Sequence, residues 1–321
     1  MSQPSHPPDY RETQTSKRQS WHGAKRYVKR LLAMRAPNFL MRMGARVRPS
    51  LNAHGRLPAP HYVSEVQGEV LGSSFVMLDP ARCVIAKELY WGDGVRPEAA
   101  DRLALEVFAG LAKDAQLVLD IGAYTGLFTL ASGRVNPDAA CHAFELVPDV
   151  FRLLFDNCVR NDILTQTTLH PTAVGTAGTV LVPASSSGSA LPDFYSTRLH
   201  FTEGIHVRVA PLDDLVSPPP EGARVLIKID VEGSEAEVLT SGRKLLARSS
   251  PDILCEVLPA TTPAADVEAI LGAGYRFYLV REHDLLECDR IQSPAGYRDW
   301  LFSRTPADQL AAAGIPVATA L

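Results

Sequence analysis

Nine residues, Val118-Leu119-Asp120-Ile121-Gly122-Ala123-Tyr124-Thr125-Gly126, carry an apolar run straight into a turn that holds two glycines four apart. An apolar run of this length reads as a strand buried in a parallel sheet, and glycine just past its end lets the backbone approach a ligand without an intervening Cβ. Leu127-Phe128-Thr129-Leu130-Ala131 follows as the start of a helix, whose unpaired N–H groups and dipole present positive charge to the turn. The spacing excludes two common ligands. A dinucleotide loop has glycine at its first, third and sixth positions, but here the third is Tyr124 and the sixth is Leu127. A triphosphate-cradling loop ends in Gly-Lys-Ser/Thr, and no such triplet follows Gly126.

Around this loop, strands and helices alternate as in a doubly wound α/β sheet. Pro97 to Lys113 reads as a helix leading into the loop strand, Ala140–Phe144 as a second strand ended by Glu145, and Pro148 as the start of a helix with apolar residues at helical spacing. Thr167–Val174, Val225–Val231, Asp252–Val257 and Phe277–Val280 are the further strands. Ser234 with Glu237 has the spacing of a capping box, and Thr262-Pro263 opens another helix. Upstream, His61-Tyr62-Val63 and Ser74–Leu78 are β-type stretches, and Pro49–Pro60 reads as a linker. The expected units are a basic, partly disordered arm over 1–60, strands and a helix over 61–113 packing on the core, a main domain over 114–290, and a C-terminal tail over 291–321.

The net charge of −4 conceals an asymmetry. No acidic residue occurs from Thr13 to Ser64, while Lys17, Arg18, Lys25, Arg26, Lys29, Arg30, Arg35, Arg42, Arg46, Arg48 and Arg56 all do. Trp21, Val28, Leu31, Leu32, Phe39, Leu40 and Met43 are mixed among them, a composition that would suit peripheral contact of residues 17–48 with an anionic membrane or with nucleic acid. The plainer reading, a solvated leader whose one helix packs on the domain, is preferred because charge runs are usually solvated. The acidic balance of the remaining chain speaks against duplex binding. Residues 1–20, rich in Pro, Ser, Gln and Thr, are expected to be disordered. With neither an apolar leader segment nor a run of eighteen apolar residues, the default expectation is a cytosolic chain. The five cysteines form no Cys-x-x-Cys pair and are read as reduced, buried thiols.

The polar residues around the loop suggest its chemistry. Glu145, 23 residues beyond Gly122, stands where an acid in a doubly wound fold accepts hydrogen bonds from a ribose diol; capping of the following helix is the alternative. Asp120 could meet a ligand ammonium or fix the turn backbone, and Tyr124 could pack on a ligand or roof the pocket. Lys228, Asp230 and Glu232 alternate along a strand and so share one face. Burying them unpaired is costly, so they should pair with each other, with a ligand or with a cation. Asp230, Glu232 and Glu256 could supply oxygen ligands, but Lys228 already offsets their charge, so no metal is assigned. Among nine histidines, including His142, His170, His200, His206 and His283, no spacing singles out a base. Ser185–Ser189 reads as a flexible loop that could also form a lid over an acceptor.

With VLDIGAYTGLFTL, AFELVPDVFRLLFDNCVRN, PLDDL, LIKIDVEGSEAEVL and PDILCEV all in order, the chain resembles the FkbM family of methyltransferases over about residues 85–280. IKIDVEGSE is the most specific of these stretches. The resemblance implies a Rossmann-like class I methyltransferase fold, a mostly parallel doubly wound seven-stranded sheet with an N-terminal extension here. It also implies S-adenosyl-L-methionine as donor and a small-molecule or glycan hydroxyl as acceptor. Asp120, Gly122, Ala123, Tyr124, Gly126 and Glu145 would then belong to the donor site. Asp230, Glu232 and Lys228 would lie where donor and acceptor meet, with Asp230 also touching the donor. Tyr124 stands where Asn is common in the family, and Leu146 where Pro often follows the acid.

Overall fold

A computed structural model describes residues 34–47, 57–182, 204–258, 262, 264–292, 294 and 296–318. Residues 1–33, the segment 48–56 and the serine loop 185–189 lie outside the described residues, as does His200. Chain order begins with helix α1 (Arg35–Val47), the hairpin β1 (Glu65–Val70) and β2 (Ser73–Leu78), and helices α2 (Val84–Trp91) and α3 (Ala99–Ala112). The alternating region contains β3 (Leu117–Ile121), α4 (Leu127–Val135), β4 (Ala140–Phe144), α5 (Pro148–Arg160), β5 (Thr167–His170), β6 (Ala173–Val174), β7 (Gly178–Val182) and β8 (Ile205–Ala210). It continues through α6 (Leu212–Leu215), β9 (Val225–Ile229), α7 (Glu235–Ser241), α8 (Arg243–Ser249), β10 (Asp252–Glu256) and α9 (Ala264–Leu271). The chain then forms β11 (Arg276–Val280), β12 (Leu285–Cys288), β13 (Asp299–Ser303) and α10 (Ala307–Ala312).

The main sheet runs β5-β4-β3-β9-β10-β13-β11-β12. From β5 to β10 every neighbouring pair is parallel, while β13 is antiparallel to both β10 and β11. A reversed strand wedged between the fifth and sixth parallel members of the sheet is the class I arrangement. The expected count of seven strands is corrected to eight, because β12 turns back on β11 and extends the edge. Residues 291–321 are likewise no tail, since β13 completes the middle of the sheet and Trp300, Leu301 and Phe302 are fully buried there.

Every residue of β3 and β9 is buried, as strands covered on both faces require. Leu119, Ile121, Ile227, Ile229 and Ile253 face α7, α8 and α9, while Val118, Leu226, Leu254 and Leu301 share the other core with α3. Several local readings change. His61-Tyr62-Val63 forms a turn closed by Val63 N–H to Pro60 O at 3.1 Å, and the strand begins at Glu65. The stretch 167–174 divides into β5 and β6, and β6 pairs with β8 in a separate three-stranded sheet. Ser234 makes no side-chain capping bond; instead Gly233 N–H donates to Glu235 Oε1 at 2.8 Å, and Glu237 Oε1 accepts from Thr176 N–H.

Asparagines hold the hairpin to the domain. Asn161 Oδ1 and Nδ2 bond the N–H and carbonyl of Val76, each at 2.7 Å, and Asn157 Oδ1 accepts from Leu78 N–H at 2.8 Å. Asn157 on α5 and Asn161 just after its end therefore satisfy β2 as a neighbouring strand would. Replacing Phe302 in β13 with Ala should cost about 3–5 kcal/mol. Urea unfolding checks this, and a cost under about 1 kcal/mol would mean that the C-terminal strand is peripheral.

Candidate functional site

The sheet reverses its winding between β3 and β9, and ligands of open α/β sheets bind outside the strand ends at such a point. Asp230 N–H donates to Ile121 O at 2.9 Å, so the two strand ends are tied together just where both turn away. Gly122 has φ +81°, and a Cβ there would fall 1.8 Å from the Asp230 carbonyl oxygen. Close approach to a neighbouring backbone is thus enough to demand this glycine. Gly126 has φ +93° and caps α4, with Leu154 Cδ1 only 2.6 Å from where its Cβ would stand. Ala123 between them is buried and its N–H donates to Phe144 O at 2.9 Å.

Asp120 turns toward α4. Its Oδ2 accepts from Thr129 N–H at 2.9 Å and from Thr129 Oγ1 at 2.6 Å, fixing the first turn of that helix. Asp120 thus holds the following helix through Thr129, rather than the turn backbone. Burial raises its pKa to about 6, opposed by the Thr129 bonds and the Lys228 ammonium. Glu145 is also buried, and its Oε1 accepts from Val147 N–H at 2.7 Å immediately before α5. Desolvation lifts its pKa to about 7 against the backbone N–H groups of Val147, Tyr124 and Leu146. Tyr124 takes φ +50°, and its hydroxyl accepts weakly from Val84 N–H at 3.5 Å, spanning the loop toward α2. Beside it lies a cleft of about 480 Å³ lined by Tyr124, Thr125, Cys83, Val150 and Leu153, among others; Glu145 and Asp230 do not line it.

Lys228, Asp230 and Glu232 do not all lie on one strand face. The strand ends at Ile229 and Glu232 takes φ +54°, so alternation stops before Glu232. The turn nevertheless brings carboxylate oxygens of Asp230, Glu232 and Glu256 within 4.8 Å of one another. Beneath them Lys228 is 2% exposed, with Nζ 3.6 Å from Asp230 Oδ2, 3.8 Å from Asp299 Oδ1 and 5.2 Å from the centre of the Phe128 ring. Burial lowers the Lys228 pKa, but Asp230, Asp299 and Glu256 outweigh it and hold the ammonium charged. Glu256 is pushed up to about 9 by burial and by Asp230, although Arg298 Nε stands 3.1 Å from its Oε1. An ammonium beside Asp230 and a guanidinium beside Glu256 therefore already border this acidic group.

Asp299 and Arg298 escaped the sequence reading, as did Asp101 and Arg96. Arg298 approaches Asp101 at 3.4 Å, and Arg96 bridges Asp101 at 2.7 Å and Glu88 at 2.9 Å. Only long-range pairing of β13 against β10, with Asp299 opposite Glu256, brings these groups together. His142 and His170 pair with each other across β4 and β5, with ring nitrogens 2.9 Å apart. Burial lowers both, His170 to about 4, so both rings are neutral at pH 7.

The family model described as a methyltransferase FkbM domain matches residues 120–277. A protein of Streptomyces tacrolimicus named 31-O-demethyl-FK506 methyltransferase FkbM is 27% identical over 197 residues, covering 53% of this chain and 75% of that protein. Among solved structures, methyltransferase FkbM from Methylobacillus flagellatus KT is 19% identical with a TM-score of 0.41, and the match covers 59% of this chain and 43% of that one. The chain thus spans less than half of that solved relative. The O-methyltransferase TomG from Streptomyces achromogenes, solved with S-adenosylmethionine, is 14% identical with a TM-score of 0.36, covering 64% and 78% of the two chains. No helix among the described residues is long and apolar enough to cross a membrane.

Glu145 gives the site a pH signature. A carboxyl whose folded pKa is raised stabilises the fold below its unfolded pKa near 4.5, and loses that contribution as pH rises through about 7. Stability should therefore fall between pH 5 and pH 8, with roughly 1–3 kcal/mol of the fall due to Glu145. Glu145→Gln should flatten the slope by that amount in urea titrations across this range, and an unchanged slope would contradict the assignment.

Proposed function

The chain carries an FkbM-type methyltransferase domain over residues 120–277, and we propose that it methylates a hydroxyl oxygen on a small natural product, sugar or lipid-linked glycan, with S-adenosylmethionine as donor. The observation that carries this reading is the placement of Asp230. Its carboxylate is 40% exposed at the carboxyl end of β9, beside the glycine turn, with the buried Lys228 ammonium behind it. The name of the Streptomyces relative supports oxygen as the acceptor atom and a natural product as the substrate class.

The residues suit the donor chemically. Glu145 follows β4 with carboxyl oxygens for a diol, and the Gly122–Gly126 turn beside it carries one large side chain, Tyr124. When bound, S-adenosylmethionine supplies a methyl group already activated by its sulfonium. The protein's work is then to hold an acceptor hydroxyl in line and to receive its proton. Asp230 takes that proton on its carboxylate. Lys228 fixes the carboxylate by charge from below, and Glu232 and Glu256 border the position from which an acceptor would enter. Glu145, Gly122, Ala123, Tyr124 and Gly126 form the donor seat, with Asp120 holding α4 against it.

Two substitutions separate binding from chemistry. Asp230→Ala should lower turnover by about 10²–10³, with donor affinity changed by less than about tenfold. Glu145→Ala should weaken donor binding by roughly tenfold through the lost hydrogen bonds. Donor affinity is read by calorimetry, and turnover by S-adenosylhomocysteine release across a panel of hydroxylated natural products and glycans. Full turnover in Asp230→Ala would remove Asp230 from the reaction, and product on amine acceptors alone would overturn oxygen as the target.

A further inference from the structure

Helix α1 turns most of its large apolar side chains away from the protein. In a helix that packs on a soluble domain the apolar stripe faces the core and polar residues face water. Here the stripe is outside: Phe39, Leu40 and Met43 are 63%, 68% and 52% exposed, and Met34 just before the helix is 57% exposed. Residues 39, 40 and 43 are spaced to form one face. The face turned to the protein is held mainly by polar groups, with Met41 half-buried against the cluster of Ala59, Tyr90 and Trp91. Asn38 is buried and its Oδ1 accepts from Tyr90 Oη at 2.5 Å, while Arg42 pairs with Asp93 at 2.5 Å and lies 4.5 Å above the Tyr90 ring. Arg35 stands 5.0 Å over the Tyr62 ring. Polar and cationic anchors thus fix the helix to α2 and present its large apolar residues outward.

Charge selects the occupant of that face. The eleven lysines and arginines between Thr13 and Ser64, with no acid among them, surround the helix in sequence and would repel a cationic surface. A row of large apolar side chains in a basic segment matches the headgroup and acyl layers of an anionic bilayer. Nucleic acid would use the charge and leave Leu40 and Met43 in water. We infer that α1 is an in-plane anchor that docks the protein on an anionic membrane surface, with Phe39, Leu40 and Met43 inserted below the headgroups. This anchor is independent of the methyl-transfer reading, because none of its residues belongs to the donor or acceptor site.

The experiment is co-sedimentation of the full chain with vesicles of phosphatidylcholine alone, or with about one third phosphatidylserine. A second variant carries Phe39→Ser, Leu40→Ser and Met43→Ser together, which leaves net charge unchanged. The full chain should bind the anionic vesicles at least about tenfold more tightly than the neutral ones, and the triple variant should bind them at least about tenfold more weakly than the parent. Its thermal midpoint and donor affinity should match the parent, since the altered side chains face outward. Failure to bind anionic vesicles overturns the inference, as does equal binding by the triple variant, which would assign attraction to the arm's charge alone. A midpoint lowered by several degrees would show the face covered by the chain itself. A self-association abolished by the triple substitution would assign the face to a second copy. Both of these outcomes reject the anchor, and neither bears on catalysis.

Discussion

The approach of the Gly122 backbone to the carbonyl of Asp230 is the constraint on which the site depends. A Cβ at residue 122 would stand 1.8 Å from that oxygen, so any other residue would force β3 and β9 apart at their ends. Because they stay together, Asp230 N–H reaches Ile121 O, and the glycine turn meets the acidic turn at the point where the sheet reverses its winding. The same contact sets the register that places Asp120 beside Lys228 on adjacent strands. Asp120 then points to α4 while Lys228 points to Asp230, so one strand pair supports the glycine turn and the acidic turn together.

Lys228 is the second fixed point. A lysine that is 2% exposed is tolerable only where nearby carboxylates repay its desolvation. Asp230 and Asp299 do so from two strands that are not neighbours, β9 and β13, with β10 between them. The antiparallel strand that gives the sheet its class I character is therefore also part of the electrostatics of the site. Arg298 and Asp101 extend the alternation of charge to Arg96 and Glu88, linking the carboxyl end of the sheet to α2 and α3.

The elements with local punctuation were legible in the sequence. Pro148 placed the start of α5, and Ala140 to Phe144 bounded β4 because Glu145 interrupts an apolar run. Lys228, Asp230 and Glu256 were recognisable as a group, since charges at the end of apolar strands have few structural explanations. Asp299 was not, because nothing near it in sequence reveals that β13 inserts between β10 and β11. The position of Glu232 was misread for a local reason: period-two alternation assumes extended backbone, and a positive φ at 232 ends it. His61-Tyr62-Val63 failed similarly, with β-type side chains overruled by the turn that Pro60 closes.

Helix α2 joins the outer helix to the glycine loop. Its C-terminal end receives α1 through Tyr90, and Asp93 just beyond it receives Arg42. At its other end Cys83 caps the helix through Ala86 N–H at 3.3 Å and contacts Thr125 Oγ1 at 3.2 Å, while Val84 N–H meets the Tyr124 hydroxyl. Eight residues of helix measure about 12 Å, so a surface engaged by α1 would lie one short rigid element from the glycine loop. Tyr124 and Thr125 are both contacts of the loop with that element.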